Sequence, residues 1–382
     1  MSDTIQALPA RRRGGGPGEA DGKSSVTDPI RTTHLVALVA AAALFSGFLL
    51  YLVAGLHFEM LRSDVATYWS YSLQWRTPFS VWWVPGYPLL LALVHWITQG
   101  VLGPLSVMLL VTGFWYLVAV STVFSIVRGY DRSGPEAPFW FSLLFAAFPF
   151  VGLTYSAYPI SDTMAIALTL LSVSSMERKR WLALAVFAGF GLVAHKATWF
   201  LLPPLLAVAF VQNRAARPFL LLAPVPVLAW IAGGVAHFGD PLWFMRWSVE
   251  HLAVSRSQLP VLDGIVGPFL AGSPTKAAKG LIVLAVTVGA LVGAYRSFRR
   301  RYWPGVILCG GLVAMAVALN QYEIWAVVRF SRLLIVPLAY LVVREHPDVL
   351  SRRRGVVPRA ALALCVLSNL LYGYYMAVMF FH

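Results

Sequence analysis

The run RTTHLVALVAAAALFSGFLLYLVAGL, residues 31–56, decides the fold. From Leu35 to Leu56 it contains no Asp, Glu, Lys or Arg. A helix over that stretch is about 33 Å long, enough for the roughly 30 Å hydrocarbon core of a bilayer. It is also too long for the apolar part of a cleaved signal peptide, so we read it as a retained span. The residues before it, including RRRGGGPGEADGKSS at 11–25, are rich in Gly, Pro and charge. Such a stretch has too little apolar surface to fold, so residues 1–32 are expected to be a disordered cytoplasmic tail. Residues 33–382 form one transmembrane domain.

The rest of the chain agrees with that first run. Hydrophobic residues make up 59% of the 382 and charged residues only 12%, with a mean hydropathy of +0.71. Soluble domains carry about 25% charged residues, so the class is an all-α polytopic membrane protein. The formal net charge of +14 suggests nucleic acid at first, but the Lys and Arg residues lie in short blocks between apolar runs. That placement records membrane topology instead. Cys309 and Cys365 each sit inside an apolar run, without a disulfide framework or a metal signature.

Further apolar stretches at 102–127, 138–157, 159–176, 181–195, 197–212, 218–236, 280–295, 303–319, 324–343 and 356–380 bring the expected spans to about eleven. Residues 85–98 are too short and read as a juxtamembrane helix. With the N-terminus cytoplasmic, 21 of the 30 basic residues fall in cytoplasmic segments. The reverse orientation would place that majority outside, against the positive-inside rule. Residues 181–212 must form a hairpin, since ERKR precedes and QNRAAR follows. Two full spans need about 40 residues, so the turn at His195 and Lys196 is expected below the membrane surface; the alternative is a single tilted span, which would invert everything downstream. Two outer loops, residues 57–101 and 237–279, are long enough to build a site.

The candidate residues cluster on that outer side. In the first loop Asp64, Tyr68, Tyr71 and Trp75 would share one face of a helix, with Ser63 placed to cap it. A carboxylate beside aromatic rings suits a general base in a carbohydrate site, though Trp and Tyr also anchor interfacial helices. Asp162, with Ser161 beside it, opens an otherwise uncharged span. It is either functional or a helix-start carboxylate favoured by the dipole. His195 and Lys196 lie at the hairpin turn, where an ammonium can hold a phosphate as a point charge or snorkel to the interface. Arg329 and Arg332 stand i, i+3 on one helix, shortly after Glu323. They suit an anionic lipid phosphate or a structural pair with Glu323. A P-loop, a dinucleotide fingerprint, HExxH and GxSxG are all absent from the sequence.

Several of these segments together resemble the C-type (GT-C) glycosyltransferase superfamily. They are RSDVATYW around Asp64, PGYPLLLAL at Pro85–Leu93, YPISDT at Tyr158–Thr163, AHKATWFLLPP at Ala194–Pro204, and RFSRLLIVP. The layout is similar to protein O-mannosyltransferases, aminoarabinose transferases and glycolipid mannosyltransferases. It departs from the first two in that Asp64 has no adjacent Glu, and it lacks the large outer C-terminal domain found in several members. The resemblance implies a GT-C-like fold with juxtamembrane helices in the first outer loop. It also implies inverting transfer of a sugar, a hexose such as mannose, from a polyprenyl-phosphate carrier to a lipid, glycan or protein acceptor. Asp64 would be the general base. Tyr68, Asp162, His195, Lys196, Glu323, Arg329 and Arg332 would bind substrate, with Lys196, Arg329 or Arg332 stabilising the leaving phosphate. No cofactor is demanded; a divalent metal serves some members of the superfamily but is not required by these residues. The partners expected are membrane lipids and the lipid-linked donor, without nucleic acid, in a bacterial plasma membrane. The competing expectations are a transporter or lipid flippase, whose charges would line the whole depth of the membrane, and a non-catalytic scaffold.

Overall fold

The structure is a computed structural model. It describes residues 34, 36–45, 47, 64–76, 79–80, 84–130, 136–147, 160–246, 263–270, 272–319 and 324–346, with residues 360, 363, 364 and 367 beyond them. The tail at 1–32, Ser63, Glu323, Cys365 and most of the apolar stretch at 356–380 lie outside the described residues, as do parts of both expected outer loops.

The described elements are helices, with no strand among the described residues. In chain order they are α1 (Val36–Phe45), α2 (Asp64–Leu73), α3 (Gly86–Ile97), α4 (Pro104–Tyr130), α5 (Glu136–Ala147), α6 (Asp162–Glu177) and α7 (Trp181–Leu192). A 3-10 turn (Lys196–Phe200) leads into α8 (Leu202–Gln212), followed by α9 (Arg217–Leu220) and α10 (Val225–Phe238). The last group is α11 (Asp263–Leu270), α12 (Pro274–Arg299), α13 (Trp303–Ala318), α14 (Ile324–Phe330), a 3-10 turn (Ser331–Leu334) and α15 (Ile335–Glu345).

Four described helical stretches are long and apolar enough to cross a membrane: Pro104–Tyr130, Arg214–Phe238, Lys276–Arg299 and Ala326–Glu345. Several other apolar runs fold as shorter helices, which is why length alone does not reproduce the eleven spans expected from hydropathy. The 181–212 region is the clearest case. It folds as the expected hairpin, but α7 has 12 residues and is about 18 Å long. That is well short of a bilayer core.

α6 is the central element. Almost every residue from Asp162 to Met176 is buried, as expected of a helix that is apolar all round and packed on every side. α4 and α7 flank it, α5 and α15 pack on α4, and α12 pairs closely with α13. That last pair uses small residues: Gly293 faces the Cys309 sulfur so closely that an added Cβ would lie 2.8 Å from it. Close backbone approach of this kind is how helices associate in lipid, and it gives buried Cys309 a packing role. α10, by contrast, keeps much of its apolar surface exposed, with Leu228 at 57%. Such a face suits acyl chains.

Candidate active site

The site forms at the N-terminal end of α6, where four chain segments meet. α2 brings its Val65, Tyr68 and Ser72 side inward. The aromatic face expected from spacing is therefore broken up. Tyr68 is buried, Tyr71 is half-buried, and Trp75 lies beyond the end of the helix at 55% exposure. Tyr68 packs edge-on against Tyr87 of α3 at 5.2 Å, and its hydroxyl meets the Ser161 Oγ at 2.7 Å. Ser161 makes no side-chain cap to α6; its hydroxyl pairs with Tyr68 instead. This buried pair fixes α2, and with it Asp64, against the start of α6.

α3 reaches the hairpin turn through the PGYP glycine. The Gly86 N–H donates to the Val193 carbonyl at 2.7 Å, and a Cβ there would lie 2.5 Å from that oxygen. Only glycine allows so close an approach. The Tyr87 hydroxyl then meets Thr112 of α4 at 3.2 Å, which ties α3 to the bundle. Immediately after Val193, His195 adopts an extended backbone and caps the 3-10 turn, its Nδ1 accepting the Ala197 N–H at 3.0 Å. That bond leaves the ring proton on Nε2, which faces Asp162 Oδ1 at 3.4 Å. The Thr198 hydroxyl donates to the His195 carbonyl at 2.7 Å and Trp199 Nε1 to the Leu192 carbonyl at 2.8 Å, so the turn is held from both sides.

Asp162 is fully buried. Besides His195 it accepts from Arg329 Nη1 at 3.0 Å through Oδ2. Its two oxygens therefore face a cation and an imidazole, an arrangement that makes burial of the charge tolerable. Arg329 and Arg332 do not act as a matched pair. α14 tightens to 3-10 geometry at Ser331, and the Arg332 side chain turns into the core, 1% exposed, with its guanidinium 5.7 Å over the Phe145 ring. Arg329 faces Asp162 instead, and Phe330 between them packs against the His195 ring at 5.5 Å. Lys196 is half-buried at the same turn.

Asp64 differs from Asp162. The residue keeps an exposed surface, yet its carboxyl is crowded from the protein side. That burial raises its pKa above the ordinary aspartate value; the nearby Arg329 pulls it down and the Asp162 charge pushes it up. A carboxylate that is open to solvent on one side and reluctant to stay charged is suited to taking a proton. Beside the hairpin turn, Leu192, Trp199, Leu206, Phe210, Val227 and Phe244 help line an apolar cavity of about 580 Å³, which suits a hydrocarbon chain. Among the described residues no three His, Cys, Asp or Glu side chains gather into a possible metal site.

Parts of the quoted motifs are thus neighbours in space: Asp64–Tyr68 beside Ser161 and Asp162 through the Tyr68–Ser161 bond, PGYP against the AHKAT turn through Gly86, and RFSR against Asp162 through Arg329 and against the AHKAT turn through Phe330. Sequence reasoning missed the contacts that join them, those of Ser161, Gly86 and Phe330. The one signal that pointed to any of them was the glycine between two prolines.

No family model and no curated protein matches the sequence. Solved structures do match. The archaeal oligosaccharyltransferase AglB from Archaeoglobus fulgidus, in complex with an inhibitory peptide and a dolichol-phosphate, superposes with a TM-score of 0.50 at 14% identity, over 91% of this chain and 55% of its own. The Archaeoglobus fulgidus oligosaccharyltransferase in complex with Zn and sulfate gives 0.49 at 14% identity, over 87% and 52%. The present chain spans about half the length of these proteins. The first likeness shows the fold alone: a helical bundle arranged as in that archaeal protein.

Proposed function

We propose that this chain is a membrane glycosyltransferase that moves a sugar from a polyprenyl-phosphate carrier to a lipid, glycan or protein acceptor. The sugar is a hexose such as mannose. The reaction takes place at the outer face of a bacterial plasma membrane, in a bundle of about eleven spans with a cytoplasmic N-terminus. The observation that carries this reading is the pair of unlike carboxylates at one end of α6. Asp162 is buried and engaged by Arg329 and His195, whereas Asp64 keeps an exposed edge.

In this reading Asp162 is a positioning residue that fixes Arg329 and the His195–Lys196 turn. Asp64 accepts the proton of the acceptor hydroxyl. The acceptor oxygen bonds to the anomeric carbon from the face opposite the carrier, so the configuration inverts. The carbon–oxygen bond to the carrier breaks, and its electron pair leaves with the phosphate. Lys196 and Arg329 stabilise the added negative charge, as preorganised cations do at a developing anion. The apolar cavity beside Trp199 suits the carrier's isoprenoid chain.

The test is to incubate the purified chain with a panel of polyprenyl-phosphate sugars and membrane extract, following carrier release and product by mass spectrometry and anomeric configuration by NMR. Release with inversion supports the proposal. Binding or membrane passage of a carrier without release would replace it with a flippase.

A further inference from the structure

The opposite end of α6 carries a second polar centre, separate from the site above. Glu177 ends the helix, and with 1.5 Å per residue it lies about 22 Å along the axis from Asp162. Its carboxylate accepts from the Tyr302 hydroxyl at 2.7 Å and from the Tyr130 hydroxyl. Tyr302 stacks on Tyr340 at 3.8 Å, and the Arg344 guanidinium lies 4.8 Å over the Tyr340 ring. Around this aromatic floor opens a cavity of about 570 Å³, whose charged lining is Glu177, Arg178, Lys179, Arg301 and Arg344. Four cations thus face one carboxylate. Neighbouring Arg296 and Arg300 share Glu345, at 3.8 and 2.8 Å, whereas the four cations of the cavity lining have Glu177 as its only carboxylate.

Two of those cations sit on a strained backbone, and in the same way. The turn SMERKRW (residues 175–181) joins α6 to α7, and SFRRRYW (residues 297–303) joins α12 to α13. In the first, the Arg180 N–H donates to the Ser175 carbonyl at 2.9 Å and Lys179 to Met176 at 3.1 Å; in the second, Tyr302 donates to Ser297 at 2.8 Å and Arg301 to Phe298 at 2.9 Å. Both are Schellman closures. The residue in the left-handed position, where glycine is the usual choice, is Lys179 at φ 56° and Arg301 at φ 54°. Topology alone asks only for basic residues somewhere in these loops. It does not ask for them at the one position in each turn that disfavours a side chain, nor for both to line one cavity. Backbone strain retained at matching positions points to a function.

We propose that this cavity binds the phosphate of an anionic phospholipid headgroup in the leaflet opposite the Asp64 site. Lys179 and Arg301 grip the phosphate from the two turns, Arg178 is anchored on the Ser125 carbonyl at 3.1 Å, and Arg344 is held on Tyr340. A free phosphate would offer the same chemistry. The proposal does not depend on the glycosyltransferase reading.

The experiment uses the full chain in phosphatidylcholine nanodiscs doped with dioleoyl phosphatidylglycerol. Retained lipid is counted by native mass spectrometry, with and without inorganic phosphate. The key variant is Lys179→Gly with Arg301→Gly, which removes both cations while relieving both turns, so it should fold with an unchanged or raised Tm. One tightly retained phosphatidylglycerol, weakened about tenfold or more in that variant, is the expected result. If millimolar inorganic phosphate displaces the lipid from wild type but not from phosphatidylglycerol sites remaining in the variant, phosphate chemistry at this cavity is confirmed. If phosphate alone binds, the source is soluble and the lipid assignment falls. Equal retention by wild type and variant, or retention by neither, overturns the proposal.

Discussion

Gly86→Ala tests whether PGYP holds the hairpin turn in place. The new Cβ would lie 2.5 Å from the Val193 carbonyl oxygen, 2.9 Å from its carbon and 3.3 Å from the Ala194 Cα. All three are backbone atoms, so no side chain can swing away. Reaching ordinary contact, which begins at 3.4 Å, moves the two segments apart by about 0.9 Å, which also stretches the 2.7 Å Gly86–Val193 hydrogen bond. Overpacking of this kind costs about 1–3 kcal/mol, and weakening a buried hydrogen bond adds about 1 kcal/mol. The displaced backbone carries His195 and Lys196. A misplacement near 1 Å at a reacting centre costs about a hundredfold in rate, so kcat/KM should fall by about that factor, with a lower Tm. The control is Gly103→Ala, which has open space around it and should leave transfer unchanged. Transfer assays on carrier-linked sugar, with Tm by thermal unfolding in the same detergent, read both effects. Wild-type activity and an unaltered Tm in Gly86→Ala would refute the idea that this contact positions the turn.

The remaining predictions concern charge and packing. Burial raises the Asp64 pKa more than Arg329 lowers it, so the acid limb of kcat/KM should lie above the ordinary value of about 3.9; a limb at or below it counts against Asp64 as base. The sign for stability follows from the same shift. The folded state binds the Asp64 proton more tightly than the unfolded one, so stability falls as pH rises from the ordinary aspartate range through the raised value. Asp64→Asn should therefore melt higher than wild type at pH 7, and a lower Tm would contradict the crowding described for that carboxyl. Asp162→Ala leaves Arg329 without the carboxylate it faces and should cost about 3–5 kcal/mol in denaturant unfolding; adding Arg329→Met should recover part of it, and no recovery would mean the pair is not coupled. In Gly234→Ala the new Cβ would lie 2.0 Å from the ring of fully buried Trp243, which donates to the Ile231 carbonyl at 3.0 Å. The variant should lose about 1–3 kcal/mol, and an unchanged Tm would show that the ring has room to move.

Much of the scaffold is legible in the sequence because apolar length and basic blocks report on the membrane directly. The clearest instance is the 181–212 hairpin. Its shortness followed from counting residues between two basic blocks, and it folds as two short helices, α7 and α8. The site is legible as a set of segments but not as a geometry. Spacing placed Asp64, Tyr68, Tyr71 and Trp75 on one face, yet α2 packs against protein on its Val65–Tyr68–Ser72 side, and a period alone does not reveal which side that is. Arg329 and Arg332 looked equivalent for a similar reason: the i, i+3 spacing puts both near one face but does not reveal that Arg329 meets Asp162 while Arg332 packs over Phe145. The Gly86–Val193 and Tyr68–Ser161 contacts join residues about 100 apart in the chain, beyond what any local pattern encodes.

The most direct test is transfer by Asp64→Asn compared with wild type and Asp162→Asn, with donor affinity measured separately on each. If Asp64 is the base, Asp64→Asn loses about 10²–10⁴-fold in kcat while binding the carrier-linked sugar as wild type does. Asp162→Asn, having loosened Arg329 and the His195 turn, should lose donor affinity as well. Transfer by Asp64→Asn at the wild-type rate, with Asp162→Asn inactive but binding normally, would move the base from α2 to α6 and contradict the account.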